Sequence, residues 1–525
     1  MECINAQDEE WAEDVIEAEE KLKKEYGKYI KTAGIGQAGE KLSLISGIVN
    51  DKGRIAARSG IGALMGSKKL KMLVLKGDKQ IQLANKEDLV RVVSEYNSKK
   101  KTEPGKFMKA ILKMAPGMPK LLRRFNISLK GPPKMITQVY HIFGTSAGNV
   151  ISAEVGDSPV KNWSGIGQFD FPPDKSKELS TVIINSYKQK DYGCLTCPVQ
   201  CGGVLKVPEL GIDETYLPEY ETCCAFGTLL LNNDLMSIII LNELCNRAGI
   251  DTISTGVTVA FAIECFENGI ITTDDTNGLE LRWGKSDSIV ELVKMIIKRE
   301  GIGDILADGC KKASEKIGKG SQKFAMHSLG QEIAMHDPKY FESLGYTYAY
   351  DPTPGRHTAA SIDFMDIGPI GKFMKGFSLP KKWKKNKKSK YKGQMMVTGI
   401  RQFIDCLGLC MFATLFGNYP VREIIRSVTG WDLSVEEIIK TGLRIQTLRQ
   451  SFTIREGVII AENYLPSRVI GEPPFEKGPT KGITVDYREF YEGVCEEMGW
   501  NPENGYPLRE TLRELNLDYV IKDIY

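Results

Sequence analysis

A chain of 525 residues with 42% hydrophobic content is long enough to bury a substantial core and to divide into roughly two to four domains. Lysine and arginine number 70 against 67 acidic residues, a formal net charge of +3, so no global field selects nucleic acid or a membrane as partner. The acidic opening, residues 1–21, lacks the apolar centre of a leader, no run reaches the roughly 18 apolar residues of a membrane span, and twelve cysteines are too sparse for a disulfide scaffold. The cytoplasm is therefore the expected address, and metal or redox work the expected use of clustered thiols.

Taken in chain order, an acidic helical stretch at 9–26 leads to residues 29–39, then to a Gly-rich loop at 58–66 and an apolar strand at 70–75. Gly34, Gly36 and Gly39 match a dinucleotide fingerprint in spacing. The helix such a fingerprint needs could run only from Glu40 to Ser46 before Gly47 stops it, so a turn is expected there. Residues 98–134 are rich in Lys, Pro and Gly, with Pro104-Gly105, Pro116-Gly117 and Pro132-Pro133 breaking regular structure, and read as a domain connection. Beyond Asp191 helical periodicity takes over. Helices are predicted over 234–248, with Asp234 as N-cap and Gly249 as stop, and over 254–268, 286–299, 304–317, 394–407 and 434–455. The lysine run at 381, 382, 384, 385, 387 and 388 is self-repelling and poorly apolar, and reads as an exposed loop. The fold class is α+β: a partial, mixed α/β N-terminal domain (1–97), a connection (98–190), a helical domain carrying clustered cysteines (191–370) and a C-terminal helical domain (371–525).

Cys194-Leu-Thr-Cys197-Pro-Val-Gln-Cys201 puts three thiols in one short loop, followed by Gly202 and Gly203. Iron–sulfur clusters take local thiolates at this spacing plus one from elsewhere, whereas structural zinc more often uses two separated Cys-x-x-Cys pairs, so a four-iron cluster is favoured over zinc. The two-then-three spacing is also the reverse of that in radical enzymes using S-adenosylmethionine. Cys3, Cys223, Cys224, Cys245, Cys265, Cys310 and Cys495 show no such grouping and are expected to be buried small hydrophobes. For the fourth ligand, spacing alone leaves Cys406 and Cys410 both eligible. An internal echo separates them: 246–251 and 405–410 share a polar residue, a glycine three later and a ligand-capable side chain five later. If each glycine ends a helix in the left-handed conformation, Cys410 sits at the tip of its turn.

These residues resemble the tungsten-dependent aldehyde:ferredoxin oxidoreductases. The matching words are Ile35-Gly-Gln-Ala-Gly39-Glu40, Arg58-Ser-Gly60-Ile-Gly62 continuing to Lys68, Gly144-Thr145, Asn162-Trp-Ser-Gly165, the cysteine triplet, Pro218-Glu219-Tyr-Glu221-Thr222, residues 244–254, and Asp405-Cys-Leu-Gly408-Leu409-Cys410. The resemblance implies a mixed first domain and two helical domains around a tungsten (or molybdenum) bis-pterin with a [4Fe-4S] cluster beside it. It assigns the cluster to Cys194, Cys197, Cys201 and Cys410 and not to Cys406. It assigns pterin-binding turns to Asn246, Gly249 and Asp251 and to Asp405, Gly408 and Leu409, and a loop near the cofactor phosphates to Arg58, Gly60 and Gly62. Asn246 stands where the family usually has Asp, exchanging an acceptor for an amide that also donates. The chain also begins where the family's first domain is well advanced, so a homodimer or a chain supplying the missing N-terminal part is an expected partner.

The implied reaction takes a small aldehyde and water to a carboxylic acid and passes electrons singly through the cluster to ferredoxin. It needs an acid or base. Glu219, Glu221 and His357 are the candidates, each with an ordinary surface or structural role as the competing reading; His141, His327 and His336 show no partner pattern and are expected to be structural. Two other function classes compete with the enzyme. One is a non-catalytic iron–sulfur electron-transfer or scaffold subunit that lacks part of the pterin domain; the other is a zinc-stapled helical interaction protein. The lysine run could steer an acidic ferredoxin, or be merely solvated.

Overall fold

The computed structural model describes residues 11–525 except 12, 101–132, 196, 198, 367–373, 375 and 416–418. Cys3 and most of the predicted connection at 98–134 lie outside the described residues. The chain forms two compact, interleaved units: Met1–Lys79, Thr145–Lys190 and Gly202–Met335 make the first, and Gln80–Gly144, Asp191–Cys201 and His336–Tyr525 the second. The architecture is mixed α and β, with small sheets in a mainly helical chain.

In the first unit, helix Val15–Tyr26 is capped by Asp14, whose carboxylate accepts from the N–H groups of Ile16 and Glu17 at 2.9 Å each. A four-stranded antiparallel sheet follows. Its strands are β1 (Lys31–Gly34), β2 (Ile48–Asn50), β3 (Arg54–Ala56) and β4 (Met72–Leu75), in the order β3-β2-β1-β4, with Lys31 opposite Leu75 and Ile48 opposite Ala56. The predicted strand at 70–75 is β4. Residues 58–66 are not wholly loop: Ile61–Ser67 is a helix, because the glycines at 62 and 66 serve close packing rather than chain reversal. The segment after Gly36 makes only a four-residue helical turn, Gln37–Glu40, as the early stop at Gly47 requires.

A hairpin, β5 (Gly202–Val207) with β6 (Ile212–Tyr216), precedes the helical part of this unit. Helix Thr252–Glu267 is apolar on nearly every face and buried from Ile253 to Cys265, the pattern of a core helix, whereas Ser286–Lys298 buries one stripe. The stretch predicted as one helix over 304–317 is two, Ile302–Leu306 and Gly309–Ile317. Gly309, at φ +82°, breaks it where the main chain passes the Glu332 carboxylate. Cys223, Cys224, Cys245, Cys265 and Cys310 are buried in this unit. Burial pushes the Cys223 and Cys265 thiols up to about 12, as expected of inert packing groups.

The second unit is built on two long helices packed on each other, Lys387–Cys406 and Val435–Arg455. The latter starts at Ser434 with a reciprocal capping box to Glu437. The first begins seven residues earlier than predicted: Asn386 caps it by accepting from Ser389 N–H at 2.8 Å, and Lys387 and Lys388 therefore lie on a helix, with Lys387 held by Glu489. The lysine run is thus a turn followed by a helical first turn rather than a loop throughout. The two helices meet at glycines. A Cβ on Gly442 would lie 1.6 Å from the carbonyl oxygen of Gly399, so main chain packs directly on main chain. Around that crossing, Arg449 donates to Gln402 (2.9 Å), Gln446 (2.8 Å), Asp351 (3.0 Å) and Thr353, fixing the register of the pair. Cys495 is buried in this unit, its thiol raised to about 12. Among the described residues, no helix is long and apolar enough to cross a membrane.

Candidate functional site

Within the first unit, helix Leu235–Ala248 starts at Asp234, which accepts from Met236 N–H at 3.0 Å, and stops at Gly249 with φ +65°. Ile250 N–H reaches back to Cys245 O at 3.0 Å, the long bond that satisfies a terminal carbonyl when a left-handed glycine ends a helix. The turn is sewn to the segment before β2 by Gly47 N–H to Gly249 O (2.8 Å) and Asp251 N–H to Ile45 O (2.9 Å). Asn246 is buried in the last helical turn. Asp251 faces inward. Its carboxylate caps the next helix, accepting from Ile253 (3.3 Å) and Ser254 (3.0 Å) N–H, and pairs with Arg58 Nε at 3.6 Å.

Arg58 also donates to the main-chain oxygen of Glu332, whose side chain is fully buried and accepts from Cys310 N–H at 2.8 Å. Burial holds that carboxyl above the usual carboxylate range. Gly60 and Gly62 belong to the same loop. A Cβ on either would lie 2.6 Å from a carbonyl oxygen, of Leu44 and Gly47 respectively, so both glycines are used by internal packing. Arg58 is the charged group this loop holds in place. Glu219 and Glu221 flank the start of helix Tyr220–Phe226, where the helix dipole favours negative charge. Glu219 is engaged by Arg54 Nη1 at 3.2 Å and by the Thr145 hydroxyl, and Glu221 accepts from Met335 N–H at 2.9 Å.

The second unit carries the cysteine loop, Asp191–Cys201, together with Cys406 and Cys410. Cys197 N–H bonds to Cys194 O at 3.0 Å, curling the loop so that Cys194 is exposed and Cys197 and Cys201 half-buried. Helix Pro133–Phe143 holds the loop through His141, whose Nδ1 lies 3.0 Å from Val199 O and so donates to it. Tyr96, on helix Lys86–Lys100, and Tyr419 meet edge to face at 5.1 Å beside Cys197; burial, then the nearby thiolate charge, raises the Tyr419 phenol. Helix Lys387–Cys406 ends as Leu235–Ala248 does: Gly408 has φ +69°, Gly408 N–H bonds to Asp405 O at 3.0 Å and Leu409 N–H to Ile404 O at 3.2 Å. The echo read between 246–251 and 405–410 is therefore a shared turn. The two tips differ, since Asp251 is spent on capping while Cys410 is exposed.

Beside that turn, Arg401 pairs with Asp405 (Nη2 to Oδ1, 2.7 Å) and donates from Nε to Thr358 O at 3.0 Å. Arg401, His357, Thr358, Phe364, Met411 and Thr414 line a cavity of about 30 Å³, room for one or two waters. The His336 ring lies 4.9 Å from that of His357. With 20 residues between the two, no local spacing signals that contact. Arg401 and Asp405, one helical turn apart, could have been read as an i,i+4 pair. Tyr96 and Tyr419 carried no signal, since only tertiary packing places them at Cys197. Of the lysine run, Lys387 stands away from the helix end that leads to Cys410: Lys387 and Cys406 are the first and last residues of one 20-residue helix, about 28 Å apart at 1.5 Å per residue.

An α+β chain with three thiols in one loop, a fourth at a helix-end turn in the same compact unit and a matching turn elsewhere has the makings of a redox protein. The family model for aldehyde ferredoxin oxidoreductase, domains 2 and 3, matches residues 120–517, and that for the N-terminal domain of the same enzymes matches residues 3–77. The tungsten-containing aldehyde ferredoxin oxidoreductase of Pyrococcus furiosus is 32% identical over 513 residues, 97% of this chain and 77% of that protein. Its counterpart in Thermococcus kodakarensis is 33% identical over the same shares. An aliphatic sulfonate oxidoreductase WOR-like subunit of Pyrococcus furiosus is 25% identical, over 93% of this chain and 70% of its own. Among solved structures, the active-site complex BamBC of benzoyl coenzyme A reductase shares the fold, with a TM-score of 0.73 at 21% identity, over 98% of this chain and 77% of the other. The chain is an oxidoreductase, and it belongs to the aldehyde ferredoxin oxidoreductase family.

Proposed function

We propose that this protein oxidises a small aldehyde to a carboxylic acid and passes the electrons through a [4Fe-4S] cluster to ferredoxin, in the cytoplasm. The observation that carries the reading is the gathering of the Asp191–Cys201 loop and the Cys410 turn in one compact unit, although more than 200 residues separate them in sequence. Four soft thiolate donors of this kind suit iron–sulfur ligation. Cys194, Cys197, Cys201 and Cys410 would hold the cluster. The turns at Asn246, Gly249 and Asp251 and at Asp405, Gly408 and Leu409, with Arg58 as a phosphate partner, would hold a tungsten (or molybdenum) bis-pterin. The Arg58 guanidinium, held on its loop by Asp251 and the main chain of Glu332, suits an anionic phosphate of such a cofactor. When bound, that group takes two electrons from the substrate and releases them one at a time.

The chain's own residues supply the rest. His357, at the cavity with Arg401 and backed by the His336 ring, is placed to hold or move a proton. Glu221 keeps one carboxylate oxygen on Met335 N–H, which fixes its rotamer at the helix start. Glu219, tied to Arg54 and Thr145, serves by positioning unless substrate displaces one of these partners. The test is metal and acid-labile sulfide analysis of anaerobically purified protein, joined to aldehyde-dependent reduction of a viologen dye and of ferredoxin. Iron, sulfide and tungsten with aldehyde-dependent reduction is the expected result. Iron and sulfide alone, without turnover, would leave the electron-transfer subunit, and zinc alone would overturn both.

A further inference from the structure

Five charged side chains of the second unit converge on the turn that carries Cys410. Arg401 is bonded to Asp405 at 2.7 Å, and Arg449 to Asp351 at 3.0 Å. The charges of Arg401, Arg356 and Arg449 all bear on the Asp405 carboxylate, as does that of Asp351. Arg401 and Met411, the residue that follows Cys410, line one cavity. Three guanidiniums and two carboxylates thus stand near this turn. The arrangement is rigid: Arg401 is anchored by Thr358 O on one edge and Asp405 on another, and Arg449 by Gln402, Gln446 and Thr353 besides Asp351. Arg401 is only 16% exposed, so its charge is weakly screened.

Resting on the reading of Cys410 as a cluster ligand, we propose that Arg401, supported by Arg356, is a positioning residue that sets the reduction potential of the cluster by holding positive charge against the Cys410 ligand. One-electron reduction adds a negative charge to a thiolate-bound cluster, and a fixed cation beside one thiolate stabilises the reduced form, raising the potential. The charge matters, and so does its placement at a ligand. A solvated lysine at the far end of the same helix, about 28 Å away, acts through several Debye lengths and contributes nothing measurable.

The experiment is an EPR-monitored redox titration of the full chain, purified anaerobically and reduced by dithionite through mediators, with iron and sulfide counted per chain for each variant. In Arg401→Gln the potential is expected to fall by about a tenfold change in the oxidised-to-reduced ratio, 59 mV for a one-electron couple. Arg356→Gln is expected to shift it in the same direction by less. Arg401→Lys keeps the charge and should stay near the wild-type value, and Lys387→Gln should not move it. An unchanged potential in a cluster-bearing Arg401→Gln protein overturns the proposal, as does an equal fall in Arg401→Lys. If Arg401→Gln loses iron, the decision passes to Arg356→Gln, which leaves the Asp405 pair intact; no shift there overturns the proposal. Wild-type protein without iron and sulfide would instead overturn the cluster reading itself, which the iron count reveals before any titration.

Discussion

Replacing Gly442 by alanine puts a methyl group 1.6 Å from the carbonyl oxygen of Gly399, 2.4 Å from its carbonyl carbon and 2.9 Å from its Cα. Carbon and oxygen in van der Waals contact need about 3.2–3.5 Å, so helices Lys387–Cys406 and Val435–Arg455 must separate by about 1.5 Å or slide. No side chain can rotate away, since every opposing atom is main chain. Overpacking of this kind costs about 1–3 kcal/mol or more, and the better helix propensity of alanine returns at most about 1 kcal/mol, leaving a net loss of about 2 kcal/mol. At Gly399 the added methyl would meet Ile439 O at 2.8 Å and two side-chain carbons at 3.1 and 3.3 Å, a milder conflict. The expected order of stability is therefore wild type, Gly399→Ala, Gly442→Ala, read as thermal midpoints at fixed protein concentration and cofactor load. Separation of the helices would also disturb the Arg449 bonds to Gln402 and the placement of Asp405, so iron content should fall in parallel. A Gly442→Ala protein as stable as wild type, with full iron, would refute the close crossing and the argument built on it.

Cys410→Ser should lower iron and sulfide per chain sharply, while Cys406→Ser, four residues earlier on the helix end, should leave them at the wild-type level; equal losses would show that the turn does not discriminate between the two. Asp251→Ala removes two cap bonds and the partner of Arg58 and should cost about 1–2 kcal/mol, with Asp251→Asn losing less because an amide oxygen still caps; equal stability of all three in denaturant unfolding would contradict the cap. Burial depresses the His327 imidazole from 6.5 to about 4, so the folded state resists protonation that the unfolded state accepts. Its contribution is fully present above about pH 6.5 and is lost as pH falls towards 4, by at most about 3 kcal/mol. His327→Gln should flatten that acid limb of the stability curve, and an unaltered limb would count against it. His357→Gln should reduce aldehyde-dependent turnover at least tenfold without changing iron content, and unchanged turnover would remove it from the chemistry.

Local signals were legible wherever a few neighbouring residues decide the outcome. Asp234 and Gly249 bound their helix as read, because a cap and a left-handed stop each depend on residues within one turn. The same reasoning failed where a distant group intervened. The 304–317 stretch is helical by pattern, yet Gly309 breaks it where the main chain meets Glu332, 23 residues on. The Gly-rich words at 58–66 read as loop because glycine is a poor helix former, but at 62 and 66 glycine is chosen for what presses against it.

The sequence by itself determined the chemistry on offer: three thiols at cluster spacing, two like turns marked by glycine, and a family resemblance that spans the chain. Short-range spacing and residue type are sufficient for that, since thiolate softness and the left-handed preference of glycine are properties of the residues themselves. Only the tertiary structure decided which groups meet. It gathered Cys410 with the triplet in one compact unit, laid the His336 ring against His357, and placed Tyr96 and Tyr419 at Cys197. It turned Asp251 inward as a cap while leaving its counterpart Cys410 exposed. Such choices depend on packing between segments tens to hundreds of residues apart, where burial and shape, not local propensity, set the partners.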